Sequence, residues 1–275
     1  MTEGGLAVAR GLRRRQILSV PWGLLGAALT WPSLAQSTRA QPGTLRLGVL
    51  QQYKPFSFTE GLLQGFDVDV ARRIAMILRA ELVIEAGSFS DLQKKLAGGG
   101  LDAIANQLIK SPENRGQFDF VRAYAFNQLV CVQHESDERD FLSLDDLLGK
   151  KLGVLSNTGV EVQARGALGP AVRGFKSIDL AFLALAQQKI DAVLEESLIA
   201  DFYIQRDQLP IKVTAPFAAP LTAGWAVHKG NLPMAQLLSG AVQSMLADGS
   251  FKAISQRWFG YDVSKPSVSH RAPLR

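Results

Sequence analysis

The sequence predicts an α/β protein built from two lobes of about 100 residues each. Strand-length apolar runs alternate with stretches of helical periodicity from Thr44 to Ala105, and a second such series runs from Lys151 to Arg206. The chain has 275 residues, enough for two such units. An apolar content of 47% against 20% charged residues excludes a disordered chain.

The first series opens with Thr44 to Leu50 (TLRLGVL), a short apolar strand. Phe66 to Arg79 places apolar residues at 66, 70, 74, 77 and 78, the stripe of an amphipathic helix. Glu81 to Glu85 reads as a strand. Ser88-x-x-Asp91 starts a helix to Leu96, which Gly98-Gly99-Gly100 stops. Leu101 to Ala105 reads as a buried strand, and this βαβα order implies a parallel sheet covered by helices. In the second series Lys151 to Leu155 is a strand and Thr158 to Leu168 a helix. Ile178 to Gln188 is a helix capped by Ser177, Ile190 to Leu194 a strand, and Glu196 to Arg206 a helix. A strand at Ala223 to Val227 precedes helices at about 233–247 and 251–258. Residues after about Asp262 read as a solvated tail.

Residues 1–35 carry a different pattern. Arg10, Arg13, Arg14 and Arg15 form a basic segment, Ile17 to Leu29 an apolar one, and Ser33-Leu34-Ala35 a small-residue cleavage site. This is the layout of a secretory signal peptide, and it predicts export to the periplasm. Arg14-Arg15-Gln16-Ile17-Leu18 also fits a twin-arginine signal, so both export routes stay open. Without that segment the formal charge falls from +5 to +2, and the remaining basic residues are scattered. A nucleic-acid partner is therefore not expected. The single cysteine, Cys131, excludes an intramolecular disulfide and is expected as a buried small hydrophobe. The three histidines never fall at ligand spacing, so no metal or other cofactor is expected.

No dinucleotide, P-loop, zinc-protease or nucleophile-elbow motif occurs. The acid pairs Asp145-Asp146 and Glu195-Glu196 read first as helix-start charges, because adjacent helical residues point about 100° apart. Weak enzyme signals and two α/β lobes favour a binding module with its site between the lobes.

Several segments carry a family resemblance. They are Tyr53-Lys54-Pro55-Phe56-Ser57-Phe58, Gly65-Phe66-Asp67-Val68-Asp69, Asn106-Gln107, and Ser111-Pro112-Glu113-Asn114-Arg115 with Phe118-Asp119-Phe120. The run Leu96 to Asp102, the run Leu144 to Lys150 with Asn157-Thr158-Gly159, the run Lys189 to Glu196, Asp248-Gly249-Ser250 and Trp258-Phe259-Gly260 complete the set. From Thr44 to Val263 the chain resembles the extracellular solute-binding proteins of polar amino-acid ABC importers, family 3. Asn106-Gln107 and the ending Trp258 to Ser264 lean toward the cystine-binding branch.

The resemblance implies the two-lobed type II periplasmic-binding-protein (flytrap) fold. Lobe 1 would take 42–126 and 226–262, lobe 2 would take 133–220, hinge crossings would lie at 127–132 and 221–225, and the tail at 263–275. It implies a monomeric receptor that closes on an amino acid, cystine-like or otherwise, or a related small polar solute, and delivers it to an ABC transporter permease. It also implies the ligand positions. Tyr53 would pack on the ligand, or else fill the core beside Phe56. Phe89 would supply a second aromatic, or else pack inward from a helix start. Asn106, Gln107 and Leu108 would hydrogen-bond the ligand from a strand end. Thr158 and Gly159 would meet its carboxylate at a helix N-terminus, which Thr158-x-x-Glu161 independently marks as a capping box. Glu196 would pair its ammonium, where the family more often has Asp.

One position departs from the pattern. Asn114 stands where the family places a carboxylate-clamping Arg, and Arg115 follows one place later. With Ser111 as cap and Pro112 at the first turn, Asn114 faces the ligand; a slip of one residue would bring Arg115 there instead. The alternatives to a receptor are an enzyme on the same scaffold, such as a cyclohexadienyl dehydratase using Glu195 or Glu196 as general acid, and a ligand-free partner protein. A signalling sensor is disfavoured, since no apolar span follows Gly260.

Overall fold

The computed structural model describes residues 43–266, apart from 140, 157 and 217–219. The expected signal segment and all of the expected tail beyond 266 lie outside those residues. In chain order the first elements are β1 (Thr44–Leu50), β2 (Phe58–Glu60), β3 (Leu62–Gln64), α1 (Phe66–Leu78), β4 (Glu81–Gly87), α2 (Phe89–Ala97) and β5 (Ala103–Ile109). Next come α3 (Pro112–Gln117), β6 (Phe118–Phe120), β7 (Ala125–Asn127), β8 (Leu129–His134), β9 (Leu152–Leu155), α4 (Gly159–Leu168) and β10 (Val172–Phe175). The chain continues through α5 (Ile178–Ala186), β11 (Ala192–Glu196), α6 (Ser197–Asp207), β12 (Ile211–Pro216), β13 (Leu221–His228), α7 (Leu232–Ala247) and α8 (Ser250–Phe259).

Two sheets organise these elements. The first has strand order β4-β1-β5-β13-β6, with β7 also on β13; the second has order β10-β9-β11-β8-β12. β1 pairs in parallel with β4 and β5, and β9 with β10 and β11. The wholly parallel expectation is corrected at β13 and β8, which run antiparallel to their neighbours. Parallel neighbours need a helical crossover, whereas β8 and β13 enter their sheets directly from the other sheet. Only Gln128 separates β7 in the first sheet from β8 in the second. The segments expected as hinge crossings are thus largely strand: 129–132 lies in β8 and 221–225 in β13.

The helices sit where the apolar stripe and the caps place them. α1 buries Phe66, Val70 and Ile74, and Arg79 ends it in a left-handed conformation. Ser88, Ser111 and Thr158 each accept the backbone N–H three residues ahead, as their capping signals predict, whereas Ser177, expected to cap α5, holds the N-cap position without a side-chain cap bond. Asp145-Asp146 falls in a short 3-10 turn rather than an α-helix, and Asp146 accepts the N–H groups of Leu142 and Ser143 behind it.

Aromatic residues fill the first core. Phe66 stacks edge-on against Phe251 and Phe259, and Tyr124 meets both Phe251 and Trp225. Val263, expected in the solvated tail, is fully buried, and its carbonyl accepts the Phe126 N–H. An apolar side chain gains about 1.5–3 kcal/mol from such burial, enough to hold the chain end against the core. α6 packs on α8 through Phe202 and Trp258, and Tyr261 donates to Asp201 at 2.7 Å. Cys131 is fully buried, and burial pushes its thiol up to about 12, in keeping with a small hydrophobe.

Candidate binding site

Tyr53 is held by a tight loop between β1 and β2. Its N–H donates to Ser57 O, and its carbonyl accepts from Phe56 and Ser57. Ser57 Oγ ties the loop back to Leu50 O at 2.8 Å. The N–H groups of Phe66 and Asp67, at the start of α1, donate to Pro55 O and Phe56 O. The loop therefore supplies the acceptors that a side-chain cap would give, and α1 has no side-chain cap. This close approach is open only to glycine at position 65. There φ is +140°, and a Cβ would lie 2.1 Å from Phe56 O.

The Tyr53 ring rests on Phe56, with centroids 4.9 Å apart. Its hydroxyl lies 3.5 Å from Glu196 Oε2. Glu196 ends β11 and is the N-cap residue of α6, without a side-chain cap bond. The same oxygen accepts from Asn127 Nδ2 at 2.7 Å. Asn127 Oδ1 in turn accepts from Ser197 Oγ and the Leu198 N–H. Asn127, at the end of a first-sheet strand, thus caps a helix of the second sheet and orients Glu196. Tyr53 and Glu196 are the two expected ligand residues that the structure brings together.

Burial dominates the electrostatics here. Glu195 is buried, and its Oε1 accepts only the Glu196 N–H among the described contacts. Desolvation, then the neighbouring Glu196 charge, pushes its carboxyl up to about 8. Desolvation also raises Glu196, against the pull of its bonds from Asn127 and Tyr53. The Tyr53 phenol is held well above its usual range by burial and by the charges of Glu196, Glu195 and Asp67.

Asp67 forms a buried centre in the first lobe. Its Oδ1 accepts from Gln107 Nε2 at 2.9 Å, Tyr124 Oη at 2.7 Å and Trp225 Nε1 at 3.4 Å. Burial lifts it to about 6 despite those three donors. Gln107, expected to meet the ligand, directs its amide donors at Asp67 and Tyr124, from a strand residue with φ of +54°. Its neighbour Asn106 is buried, and Asn106 Oδ1 accepts no hydrogen bond.

The other expected residues stand apart from the Tyr53–Glu196 contact. Phe89 packs on the cluster of Leu92, Leu96, Ile104 and Phe118, with its ring 6.4 Å from Phe118. Leu108 packs on the same cluster. Asn114 holds the third helical position, with its N–H on Ser111 Oγ and its Nδ2 donating to Ile109 O at 2.8 Å. The one-residue slip is absent: Arg115 is exposed and its Nε donates to Lys110 O. Thr158 Oγ1 accepts the Glu161 N–H and donates to Leu155 O, and space beside Gly159 is open. Among the described residues no hydrogen bond joins Phe89, Asn114, Arg115 or Thr158 to Tyr53 or Glu196.

Asp67, Tyr124, Trp225 and Asn127 are the residues that motif reading passed over as parts of the site. One signal was available, since Asn127-Gln128 interrupts an otherwise apolar stretch from Tyr124 to Val132.

The pKa shifts give a pH dependence. Glu195 binds its proton more tightly folded than unfolded, so its contribution is complete below about 4.5, its unfolded value, and is lost as pH rises toward about 8. Asp67 acts in the same direction between about 3.8 and about 6. The ligand-free protein should therefore lose stability as pH rises through this window, by at most about 1.4 kcal/mol per pH unit for each group. Denaturant unfolding at several pH values measures it, and a Glu195→Gln variant with an unchanged slope would remove Glu195 as a source.

A mixed α/β chain with two sheets joined through a strand-to-strand crossing, and acid and aromatic groups meeting between them, has the type II periplasmic-binding-protein fold. Residues 45–261 match the bacterial extracellular solute-binding proteins, family 3, and the chain belongs to that family. It is 30% identical over 226 residues to the L-cystine-binding protein TcyJ of Escherichia coli, covering 81% of this chain and 85% of that one. It is 29% identical to the L-arginine-binding protein of Pseudomonas aeruginosa, covering 87% and 96%. The unliganded, open L-cystine solute receptor of Neisseria gonorrhoeae superposes with a TM-score of 0.68 at 25% identity, covering 82% of this chain and 95% of that one.

Proposed function

We propose that this protein is the substrate-binding component of an ABC importer, and that it captures an amino acid, of cystine-like character, between its lobes. The contact of Tyr53 with Glu196 carries the reading, because it brings an aromatic from the first sheet's side to an acid from the second. A ligand there gains hydrogen bonds from both lobes, which gives the closed form the differential affinity that closure requires. The cystine- and arginine-binding relatives support an amino-acid ligand.

In this reading lobe 1 comprises about 42–126 and 226–262, and lobe 2 about 133–220. The outward crossing pivots at Gln128, between β7 and β8, and the return crossing falls at 221–225, at the start of β13. Glu196 pairs the ammonium, Tyr53 packs on the ligand, and Asn106 with the Gln107 and Leu108 backbone supplies polar partners. Thr158 and Gly159 receive the carboxylate at the N-terminus of α4, and Asn114 contributes a neutral donor in place of a charged one. Residues 1–35 direct export to the periplasm, where the monomeric receptor meets its permease.

A thermal-shift screen tests this, with cystine first among the amino acids. A ligand at ~100 times its dissociation constant should add ~2.7 kcal/mol of stability. Glu196→Gln should then weaken an ammonium-bearing ligand by about tenfold or more; unchanged affinity would take Glu196 out of the site. The raised carboxyl of Glu195 also suits a general acid, so prephenate and arogenate belong in the screen with product formation followed. Turnover of either would replace the receptor reading with an enzymatic one.

A further inference from the structure

Three carboxylates act on Tyr53, and the receptor reading uses one of them. Glu195 is 4% exposed and Asp67 fully buried, while Glu196 is half-buried. Among the described residues none of the three forms an ion pair. The charge that acts on Glu195 is that of Glu196 on its own strand, whose N–H it also accepts, and the Glu195 charge acts in turn on Tyr53 in the loop after β1. Asp67, from α1, acts on the same phenol, and Asn127 from β7 faces Glu196. No lysine, arginine or histidine is among them. Buried carboxylates without a counter-cation are costly, and they persist by holding protons or by meeting a cation.

Unpaired acceptors point the same way. Asp67 Oδ2 and Gln107 Oε1 are buried and accept no hydrogen bond from the protein, although Gln107 Nε2 is 2.9 Å from the other Asp67 oxygen. The fully buried Asn106 Oδ1 is a third such acceptor. The surplus is of acceptors and of negative charge, which is the complement of a donor-rich cation. Glu195 and Glu196 are consecutive on a strand, so their side chains leave it in different directions. They are thus set to meet separate nitrogens rather than to clamp one.

We infer that the site takes a solute with two cationic nitrogens, one for Glu196 and one for Glu195, and that Glu195 releases a proton to solvent when this solute binds. The inference rests on the receptor reading and adds to it a second binding acid and a proton exchange. Burial, which lifts Glu195 to about 8, keeps that carboxyl neutral in the free protein near pH 7. An ammonium or guanidinium at hydrogen-bonding distance favours the carboxylate, and the displaced proton leaves to water. Affinity then rises with pH up to about pH 8, by up to about tenfold per pH unit, and levels off above.

The test is calorimetric titration of the purified protein, in two buffers of different ionisation enthalpy and at several pH values between about 6 and about 8.5. Cystine, lysine and putrescine are the two-nitrogen probes, with two cationic nitrogens each, and glutamine, whose side-chain amide is neutral, has one. Expected is about tenfold or more tighter binding of a two-nitrogen probe than of glutamine, with a proton released near pH 7. Glu195→Gln, which keeps the shape of the neutral acid, should abolish the proton release and most of the preference. Should that variant not fold, Glu196→Gln decides instead: a proton release that survives it comes from Glu195, and one that vanishes with it overturns the inference. Tight glutamine binding with no proton release would overturn this inference and leave the receptor reading standing. Putrescine binding with proton release would support it while overturning an amino-acid ligand, and no binding of any probe would overturn both.

Discussion

Replacing Asp67 with alanine is expected to destabilise the protein by roughly 3–5 kcal/mol, since it strips the acceptor from several buried donors at once. Gln107 Nε2, Tyr124 Oη and Trp225 Nε1 all point at Asp67 Oδ1. Tyr124 and Trp225 are themselves enclosed in the aromatic core. A leftover buried donor costs about 1–3 kcal/mol, and no water-sized route to solvent is needed for the sum to be large. At this chain length the loss corresponds to a melting temperature lower by roughly 10 °C.

Asp67→Asn separates the hydrogen bonds from the charge. Asparagine keeps a carbonyl oxygen for the three donors and carries no charge to desolvate. It should cost far less than alanine at every pH, and its own deficit against the wild type should grow as pH falls and the wild-type Asp67, raised to about 6, gains its proton. Two variants of equal stability would mean that the three donors do not depend on this acceptor.

Gly65→Ala is expected to cost on the order of 3 kcal/mol or more, at the upper end of single-residue effects. Two penalties combine. A φ of +140° is a region that alanine rarely adopts, and the new Cβ would lie 2.1 Å from Phe56 O and 2.8 Å from Ser57 N. Relief requires the 53–57 loop to move off the start of α1. That would break the bonds from Phe66 and Asp67 to Pro55 O and Phe56 O and carry Tyr53 away from Glu196. Urea unfolding should show the loss, and ligand affinity should fall with it.

Gly61→Ala is the matched control. Gly61 also has a positive φ, of +77°, but its Cβ would meet nothing within 4 Å. Its cost should stay near the ~1–2 kcal/mol of a left-handed residue. If Gly65→Ala costs no more than this, the close approach of loop and helix is not what glycine serves there.

Local patterns were the readable part of this chain. β1 runs over Thr44–Leu50 as its apolar run indicates, and α1 covers the expected stripe to within a residue. The caps at Ser88, Ser111 and Thr158 were legible because each bond spans only three residues. β5 was less so. The run Leu101 to Ala105 looked complete because Asn106 and Gln107 break its apolarity, yet the strand continues to Ile109. Those two amides are buried within the strand rather than set in a turn. β8, β10 and β12 passed unassigned: Arg173 and Gly174 break the apolarity of β10, Lys212 and Thr214 that of β12, and β8 has no helix directly before or after it.

The sequence alone determined where the longer helices and six of the strands lie, how several helices begin, the Asn114 departure, and the family whose motifs it carries. Each of these depends on residues a few positions apart. Only the tertiary structure decided that Tyr53 meets Glu196 across 143 positions, that Asn127 holds the same oxygen, and that Asp67 gathers Gln107, Tyr124 and Trp225, the last 158 positions away. It also decided that Glu195 is buried beside Glu196 without a counter-cation. Burial and partner are properties of the packed chain. A carboxylate on a solvated helix turn and one buried at the end of a strand are written with the same letter, and desolvation separates their chemistry.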